Sequence, residues 1–458
     1  MSVVKRDNTG FGHELKKDFL FDERFINLNH GSFGAFPRQV QDVRRREQEF
    51  CEAQPDPYIR YESPLKLDQS RAALARLLKV PVETVVLVKN ATTGINTVLR
   101  ALTFAPGDHI VTFSTIYGAC GNSVRYICET TPAESVTVDY TYPVSDHWLV
   151  DEFKRRVKEV AAKGGRVRLA IFDTVVSMPG LRVPFERLTK ACKELGVLSC
   201  VDAAHGVGHV DLDISRLDCD FLTSNCHKWL FVPRGCAMLY VPLRNQHLIR
   251  STIPTSHGLI PLLKEGEEKP RSPLPTPEPT KSAFEVNFEF VGTTDNTPYA
   301  CIPAAIEYRQ SLGGEEKIRE YVFHLARNGG RKAAEILGTE VLGAAMDARG
   351  ESRLGDCAFA NVRLPMSVAA VEQTAARVTG GKGTSPDLKG TALAMKVQDW
   401  VMKTMIADYD TLIPLILYGG EWWARLSGQI YLDEHDFEFG AEVLKRLSER
   451  VLLGEIWR

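Results

Sequence analysis

The 458-residue sequence predicts an α/β protein in which a mostly parallel sheet is followed by a smaller α+β unit. Short β-rich runs alternate with helical stretches from about residue 80, which is typical of a sheet with helices on both faces. The length suits two domains, and the hydrophobic fraction of 44% allows a large core. We therefore predict an N-terminal arm (1–30), a large domain (31–300) and a small C-terminal domain (301–458).

Hydrophobic runs and turn residues predict the individual elements. The strands predicted in the large domain are Val85–Val88, His109–Phe113, Arg168–Phe172, Val197–Val201, Phe221–Thr223 and Ala237–Val241. The helices predicted between them are Ile95–Ala101, Val150–Ala162 and Phe185–Leu195. In the small domain we predict helices Gly314–Leu337 and Ala392–Ala407 and strands Cys357–Leu364, Leu412–Leu417 and Trp422–Ser427.

Two segments are predicted to be loops. Segment 264–281 contains five prolines among charges, so it is either a surface loop or a lid over a site. Segment 367–390 is rich in glycine and serine.

Composition argues against several classes of function. The net charge of −2 gives no global reason to bind nucleic acid or an anionic membrane. The ten cysteines include no CxxC spacing, so we expect no metal site and a reduced, cytoplasmic compartment. The first residues lack the apolar core of a signal peptide, and no run reaches the roughly 20 apolar residues of a membrane span.

Polar residues follow several of the predicted strands, where ligands of such sheets bind. Lys228 follows the strand Phe221–Thr223 in the polar run SNCHK, and partly buried lysines form Schiff bases. Asp202 directly follows the strand Val197–Val201, and a carboxylate there could pair with the ring nitrogen of pyridoxal 5′-phosphate (PLP). The alternatives are a solvated lysine and a helix N-cap, but the two residues together favour a PLP site.

A third feature suits the phosphate of that cofactor. The run Asn90-Ala91-Thr92-Thr93-Gly94 lies between a strand and a helix, where backbone N–H groups and threonine hydroxyls bind anions. A plain N-cap by Thr92 or Thr93 is the alternative.

The stretch VDAAHGVGHVDLDISRLDCDFLTSNCHKWLFVPRGCAMLYV resembles the cofactor core of class V aminotransferase-like, fold-type I PLP enzymes. The segments NLNHGSFG, NATTGINTVL, STIYGACG, FEFVGTTDNTP and WWARLSGQIYL extend this resemblance over nearly the whole chain. The resemblance implies a seven-stranded sheet in the PLP-binding domain, an amino-acid substrate and a homodimer.

The resemblance also implies residue roles around the cofactor. Lys228 would form the Schiff base and shuttle protons, Asp202 would pair with the pyridine nitrogen, and His205 would lie near the ring hydroxyl. The residues implied at the phosphate are Ala91, Thr92, His227 and Asn225, with Ser224 as the alternative to Asn225.

Further roles concern the substrate and a second subunit. Tyr117 would stack on the cofactor ring, and a core aromatic is the alternative. Arg425 would bind the substrate α-carboxylate, and an ion pair within the strand is the alternative. Asn29 and His30 would line the substrate entrance, although His30 could be a turn residue. Gly292, Thr293 and Thr294 would reach the phosphate of the neighbouring subunit.

The reaction is less constrained than the cofactor, because one scaffold supports many reactions. The nearest resemblance is to the isopenicillin N epimerase-like branch, and within it to fungal hercynylcysteine sulfoxide lyases of ergothioneine biosynthesis, through SNCHKWLF, RNQHLIRST and PTSHG. Such lyases remove the Cα proton and expel sulfur from Cβ, with Lys228 as base and Tyr117 as candidate acid. The alternatives are an enzyme of fungal secondary metabolism that cyclises or epimerises an amino acid, and a non-catalytic relative. No nucleophilic-cysteine loop of a desulfurase is evident.

Overall fold

A seven-stranded sheet organises the first part of the chain in the computed structural model, which describes residues 10–252, 259–268, 281–379 and 390–457. Its spatial order is β1-β7-β6-β5-β4-β2-β3. The strands are β1 (Val85–Val88), β2 (Asp108–Phe113), β3 (Glu134–Val138), β4 (Arg166–Asp173), β5 (Leu198–Asp202), β6 (Phe221–Ser224) and β7 (Ala237–Tyr240). Only β7 runs antiparallel to its neighbours, so the predicted mostly parallel α/β fold is confirmed.

Helices pack on both faces of this sheet. Successive residues of a strand point to opposite faces. In β4, Ala170 and Phe172 accordingly belong to one apolar core, and Leu169 and Ile171 belong to the other. The longer helices in the described ranges are α1 (Arg38–Ala53), α2 (Ser63–Leu78), α3 (Ala91–Ala101), α4 (Gly118–Thr130), α5 (Asp146–Ala162), α6 (Phe185–Leu195), α7 (Ala283–Glu289), α8 (Ile302–Ser311), α9 (Gly314–Leu337), α10 (Val368–Val378), α11 (Gly390–Tyr409) and α12 (Glu434–Leu452).

Short helical turns complete the described secondary structure. They are His13–Asp18, His30–Phe33, Pro55–Pro57, Tyr58–Glu62, Val82–Thr84, Ile214–Leu217, Cys226–Trp229, Leu243–Leu248, Thr297–Ala300, Ala344–Ala348 and Glu455–Trp457. Cys226–Trp229, here called the lysine turn, directly follows β6 and carries Lys228.

The later part of the chain forms a second, antiparallel sheet in the order β8-β10-β9. Its strands are β8 (Phe359–Ser367), β9 (Leu415–Tyr418) and β10 (Glu421–Ser427), and α9 and α12 pack beside them. This α+β arrangement agrees with the sequence prediction. The N-terminal residues join the same unit: Ser427 N–H donates to Leu28 O at 2.8 Å, and Ile26 forms a bridge with Thr411.

Two sequence predictions need correction. Segment 367–390 was expected to be a loop, but 368–378 form α10, because Ser367 accepts a hydrogen bond from Ala370 N–H and caps the helix. Strand β3 was not predicted: it is a half-exposed edge strand, so its sequence ESVTV carries no apolar run. Most of the proline-rich segment 264–281, namely residues 269–280, lies outside the described residues.

Candidate active site

A cavity of about 820 Å³ lies beyond the carboxyl ends of the parallel strands. Asp173 ends β4, Asp202 ends β5, and both line the cavity. The start of α3, the lysine turn and the N-terminal residues Ser32 and Phe33 supply other parts of its wall. The sheet topology therefore gathers the side chains that the sequence analysis selected at separate places along the chain.

Lys228 is half-buried and points into this cavity. Its Nζ lies 3.1 Å from His205 Nε2. Burial, and after it the charge of Arg425, lowers the pKa of Lys228 from 10.5 to about 8, although Asp202 and Asp173 oppose this shift. A lysine with this pKa has a sizeable fraction of uncharged amine near neutral pH, and the uncharged amine is the nucleophilic form.

The backbone of the lysine turn is held from behind by the N-terminal segment. His30 Nε2–H donates to Lys228 O at 2.7 Å, and the Tyr431 hydroxyl donates to His30 Nδ1 at 2.9 Å. Gly34 has a φ of +67°, and a Cβ there would lie 1.8 Å from His227 O. Glycine is thus required at position 34, because any side chain would push the lysine turn away.

Two buried carboxyl groups lie side by side at the strand ends, since Asp173 and Asp202 are partners in the β4–β5 register. Asp202 accepts hydrogen bonds from Ala204 N–H at 2.9 Å and from the Cys120 thiol at 3.2 Å. Burial raises the pKa of Asp202, although these hydrogen bonds and Lys228 oppose the rise. Burial, and then Asp202, raises the pKa of Asp173 well above its ordinary value. Each carboxyl group therefore binds a proton more readily than an exposed aspartate does.

Another part of the cavity wall is suited to an anion. The N-terminus of α3 faces it, with Ala91, Thr92 and Thr93 in the wall, and Asn225 Oδ1 accepts from Ala91 N–H at 2.8 Å. Asn225 Nδ2 donates no hydrogen bond to the described residues and remains available as a donor. His227 also lines this part. Backbone and side-chain donors at a helix N-terminus fit a phosphate group.

Of the two phosphate candidates Ser224 and Asn225, only Asn225 lines the cavity. Ser224 is fully buried: its hydroxyl donates to Ala203 O and accepts from Val207 N–H at 2.9 Å. These two bonds join the ends of β5 and β6. The geometry therefore favours Asn225 as the phosphate contact.

Arg425 lies just behind the cavity wall in β10 and is almost fully buried. Its Nη2 donates to Asn29 Oδ1 and to Ser32 Oγ, both at 3.0 Å, and its Nη1 donates to Ser177 O. Burial lowers the pKa of Arg425 to about 10, so it stays charged at neutral pH. It forms no ion pair with any residue in the described ranges, which contradicts the alternative of a strand ion pair.

The remaining predicted residues occupy different positions. Tyr117 lines the cavity and is 49% exposed, so the alternative of a core aromatic is wrong. His30 lies behind the lysine turn, outside the cavity wall, with both ring nitrogens occupied. Thr293 and Thr294 are exposed and do not line this chain's own cavity. Exposed side chains at this position could contact a second subunit.

Several side chains of the site were not found from the sequence. Asp173 ends a strand as Asp202 does, and that shared position was the available signal. Trp229 and His209 could not be found, because their role depends on contacts: the Trp229 indole N–H donates to His205 Nδ1 at 3.0 Å, and the His209 ring stacks on Trp229 at 3.9 Å.

Comparison with known proteins agrees with this geometry. The family model described as aminotransferase class-V matches residues 60–260. The chain is 40% identical to the L-cysteine desulfhydrase-like protein lolT1 of Epichloe uncinata, over 99% of both chains. It is 26% identical to hercynylcysteine sulfoxide lyase of Schizosaccharomyces pombe, over 96% of this chain and 98% of that one. The chain therefore belongs to the class V aminotransferase family, as the sequence motifs predicted.

The solved structure of the cystine C–S lyase C-DES, in complex with cysteine persulfide, matches the fold with a TM-score of 0.68. The match covers 93% of this chain and 98% of that chain at 18% identity. The family and the cavity together identify PLP as the cofactor: a lysine, an aspartate and an anion site fit its aldehyde, ring nitrogen and phosphate. In the described residues, no helix is long and apolar enough to cross a membrane.

Proposed function

We propose that this chain is a PLP-dependent C–S lyase that cleaves a cysteine-derived sulfoxide conjugate, such as hercynylcysteine sulfoxide, by β-elimination. The observation that carries the proposal is the half-buried Lys228, which has a lowered pKa and lies near the buried Asp173 and Asp202. Arg425 lies nearby and forms no ion pair with a described carboxylate. Such a cavity suits a cofactor-bound amino acid whose carboxylate would meet the arginine.

PLP supplies an electron sink for the carbanion that forms at the substrate Cα. Lys228 would take the Cα proton, and Asp202 would pair with the ring nitrogen of the bound cofactor. Arg425, steadied by Asn29, binds the α-carboxylate, and Tyr117 at the cavity mouth protonates the departing sulfur. The Cα–H and Cβ–S bonds break, a Cα=Cβ bond forms, and the released aminoacrylate hydrolyses to pyruvate and ammonia. His30 positions Lys228 in this scheme and does not contact the substrate.

The size of the cavity supports a substrate larger than cysteine. At about 820 Å³ it is near the upper end of typical ligand sites, so it leaves room beyond the cofactor. The half-exposed Tyr117 and the 70% exposed Phe33 at its mouth offer apolar surface to the rest of a conjugate.

Desulfhydration of L-cysteine is the second candidate. The chain shares more identity with a protein named L-cysteine desulfhydrase-like than with the named sulfoxide lyase. Both reactions release pyruvate and ammonia, and they differ in the group that leaves Cβ.

The test is an incubation of the purified protein with hercynylcysteine sulfoxide, S-alkylcysteine sulfoxides and L-cysteine. We expect pyruvate and ammonia in equal amounts, fastest from a sulfoxide conjugate. The Lys228→Ala variant is the control and should lose both turnover and the visible absorbance of the bound cofactor. Faster turnover of L-cysteine would favour the second candidate. A cyclic or epimerised amino acid without pyruvate would refute both.

We also propose the domain division at residues 30 and 300, a homodimer, and phosphate contacts from Gly292, Thr293 and Thr294 to the neighbouring subunit. The exposure of Thr293 and Thr294 outside the chain's own cavity supports a contact in trans. Light scattering should give twice the mass of one chain, and Thr294→Ala should weaken PLP binding. A monomer that binds PLP fully would refute the contact in trans.

A further inference from the structure

The side chain of His205 lies between the Trp229 indole and the Lys228 amine. Trp229 Nε1 is 3.0 Å from His205 Nδ1, and His205 Nε2 is 3.1 Å from Lys228 Nζ. An indole N–H can only donate, so Nδ1 must carry the lone pair and accept. In an uncharged ring the proton then resides on Nε2, and the nitrogen that faces Lys228 is a donor.

We propose that Trp229 is a positioning residue that holds His205 in its uncharged Nε2–H form, so that His205 donates a hydrogen bond to the uncharged amine of Lys228. An ammonium has three donors and no lone pair, so only the amine can accept this bond. The contact thus favours the form of Lys228 that attacks a carbonyl and accepts a proton. The inference rests on the proposed role of Lys228 as the amine that holds PLP.

Neighbouring residues fix the Trp229 ring in place. It is stacked on His209 with ring centroids 3.9 Å apart and planes 16° apart. His209 is itself oriented, because its Nδ1–H donates to His205 O at 3.0 Å and its Nε2 accepts from Ala358 N–H at 2.8 Å. Arg309 Nη1 donates to Trp229 O at 2.7 Å. A rigid indole is needed for this role, since a mobile one would let His205 change its protonated nitrogen.

Electrostatics agree with an uncharged His205. Burial, and then the charge of Lys228, lowers the pKa of His205 well below 6.5. The charged or titratable groups that act on Lys228 and His205 from the surrounding elements are Cys120, Asp173, Asp202, His209, His227 and Arg425. The carboxyl groups of Asp173 and Asp202 favour the ammonium form of Lys228. The Nε2–H group of His205 has the opposite effect, because it favours the uncharged amine.

The alternative is that Trp229 only fills space and that its N–H needs some buried acceptor. Trp229→Phe separates the two readings, because it keeps the aromatic ring over His209 but removes the N–H. The loss of that donor frees His205 Nδ1 to carry the proton. Nε2 can then accept from the Lys228 ammonium, and the pKa of Lys228 should rise.

The pKa of Lys228 can be measured on the full-length chain freed of its cofactor, from the pH dependence of the rate at which added PLP becomes attached. The unaltered protein should show an apparent pKa near 8. Trp229→Phe should raise it by about one unit, the effect of one hydrogen bond to a charged group. An unchanged profile would overturn the proposal. This readout precedes any substrate chemistry, so failure of the lyase reaction would not affect it.

A double variant, in which His205 is also replaced, separates an effect of the His205 tautomer from an effect of packing. A leucine side chain can neither donate nor accept a hydrogen bond, so in the His205→Leu background the change Trp229→Phe should leave the profile unmoved. An equal shift in both backgrounds would show that packing alone is responsible and would refute the inference.

A direct readout requires no Trp229 variant and so holds even if Trp229→Phe fails to fold. Nitrogen-15 NMR of histidine-labelled protein, assigned with His205→Gln, should show His205 protonated at Nε2 only. Protonation at Nδ1, or at both nitrogens, at neutral pH would overturn the proposal.

Discussion

Burial of the Arg425 side chain is unfavourable for folding. Its guanidinium is almost fully buried, its Cζ lies 4.5 Å from the Phe359 ring centroid, and its Nε has no hydrogen-bond partner in the described part of the chain. A buried charge without a counterion is unfavourable. In the proposed function, a bound substrate carboxylate would supply that counterion.

We expect Arg425→Ala to raise KM for amino-acid substrates about 10- to 100-fold, which corresponds to ~1.4–2.8 kcal/mol of lost binding. The visible absorbance of the bound cofactor should stay intact, because Arg425 would hold the substrate and not PLP. Steady-state kinetics and an absorbance spectrum measure both quantities. Arg363→Ala on the adjacent strand β8 is the control and should leave KM unchanged. Loss of the spectrum in Arg425→Ala would instead indicate a structural role.

At the scale of an element, the position of α3 depends on close contact with β6. A Cβ added at Gly94 would lie 2.3 Å from Thr223 Oγ1 and 2.7 Å from Thr223 Cβ. Thr223 cannot easily move, because it is buried and its hydroxyl donates to Met238 O at 3.0 Å. The absence of a side chain at position 94 therefore sets the distance between the helix N-terminus and the cavity.

Gly94→Ala should consequently displace the start of α3 and weaken PLP binding about 10-fold, since a shift of the N–H groups removes part of a charge-assisted hydrogen bond to phosphate. Titration of the cofactor-free chain with PLP, followed by absorbance, gives the dissociation constant. Gly121→Ala in α4 is the matched control, because its nearest heavy atom would be Ile116 Cγ2 at an ordinary 3.5 Å. Equal affinities in the two variants would contradict this account.

The elements also show what the sequence could and could not predict. Strand β1 and helix α6 occupy their predicted ranges, because β1 is a continuous apolar run and the buried residues of α6 repeat at the helical period. The edge strand β3 lacks such a pattern. Lys228 and Asp202 were selected because each follows a predicted strand and lies in a motif. The pairing of Asp173 with Asp202 instead follows from strand register, and the Trp229–His205 contact follows from the geometry of the lysine turn. Strand register and turn geometry depend on the folded structure, and the spacing of apolar residues along the sequence does not reveal them.

At the scale of the whole molecule, four uncharged histidines lie in or directly behind the site, and the ring of each forms a hydrogen bond. Burial lowers the pKa of His30 and of His209 to about 3 and that of His227 to about 4, and it lowers that of His205 well below 6.5. In the unfolded chain each would take up a proton near pH 6.5. Stability from a group with a lowered folded pKa is present above its unfolded pKa and is lost as the pH falls.

The free energy of unfolding should therefore decrease below pH 6.5, by about 1.4 kcal/mol per pH unit for each buried histidine. Asp173 and Asp202 act in the opposite direction, because their raised pKa values let the folded state keep protons, so the net slope is less than that of four histidines. Urea unfolding of the cofactor-free chain at pH 7 and pH 5 measures this slope. His209→Gln should make it shallower, whereas His147→Gln, at an exposed histidine, should not. A pH-independent stability would contradict uncharged histidines in the folded state.

The support of Lys228 comes from both ends of the chain. Its backbone carbonyl is bonded by His30, and His30 is bonded by Tyr431, 401 positions further along. A chain still emerging from the ribosome has the lysine long before it has Tyr431 or the strand that carries Arg425. We therefore expect cofactor capture to be a late event in biosynthesis, which occurs only after the C-terminal strands have been released and folded against the start of the chain.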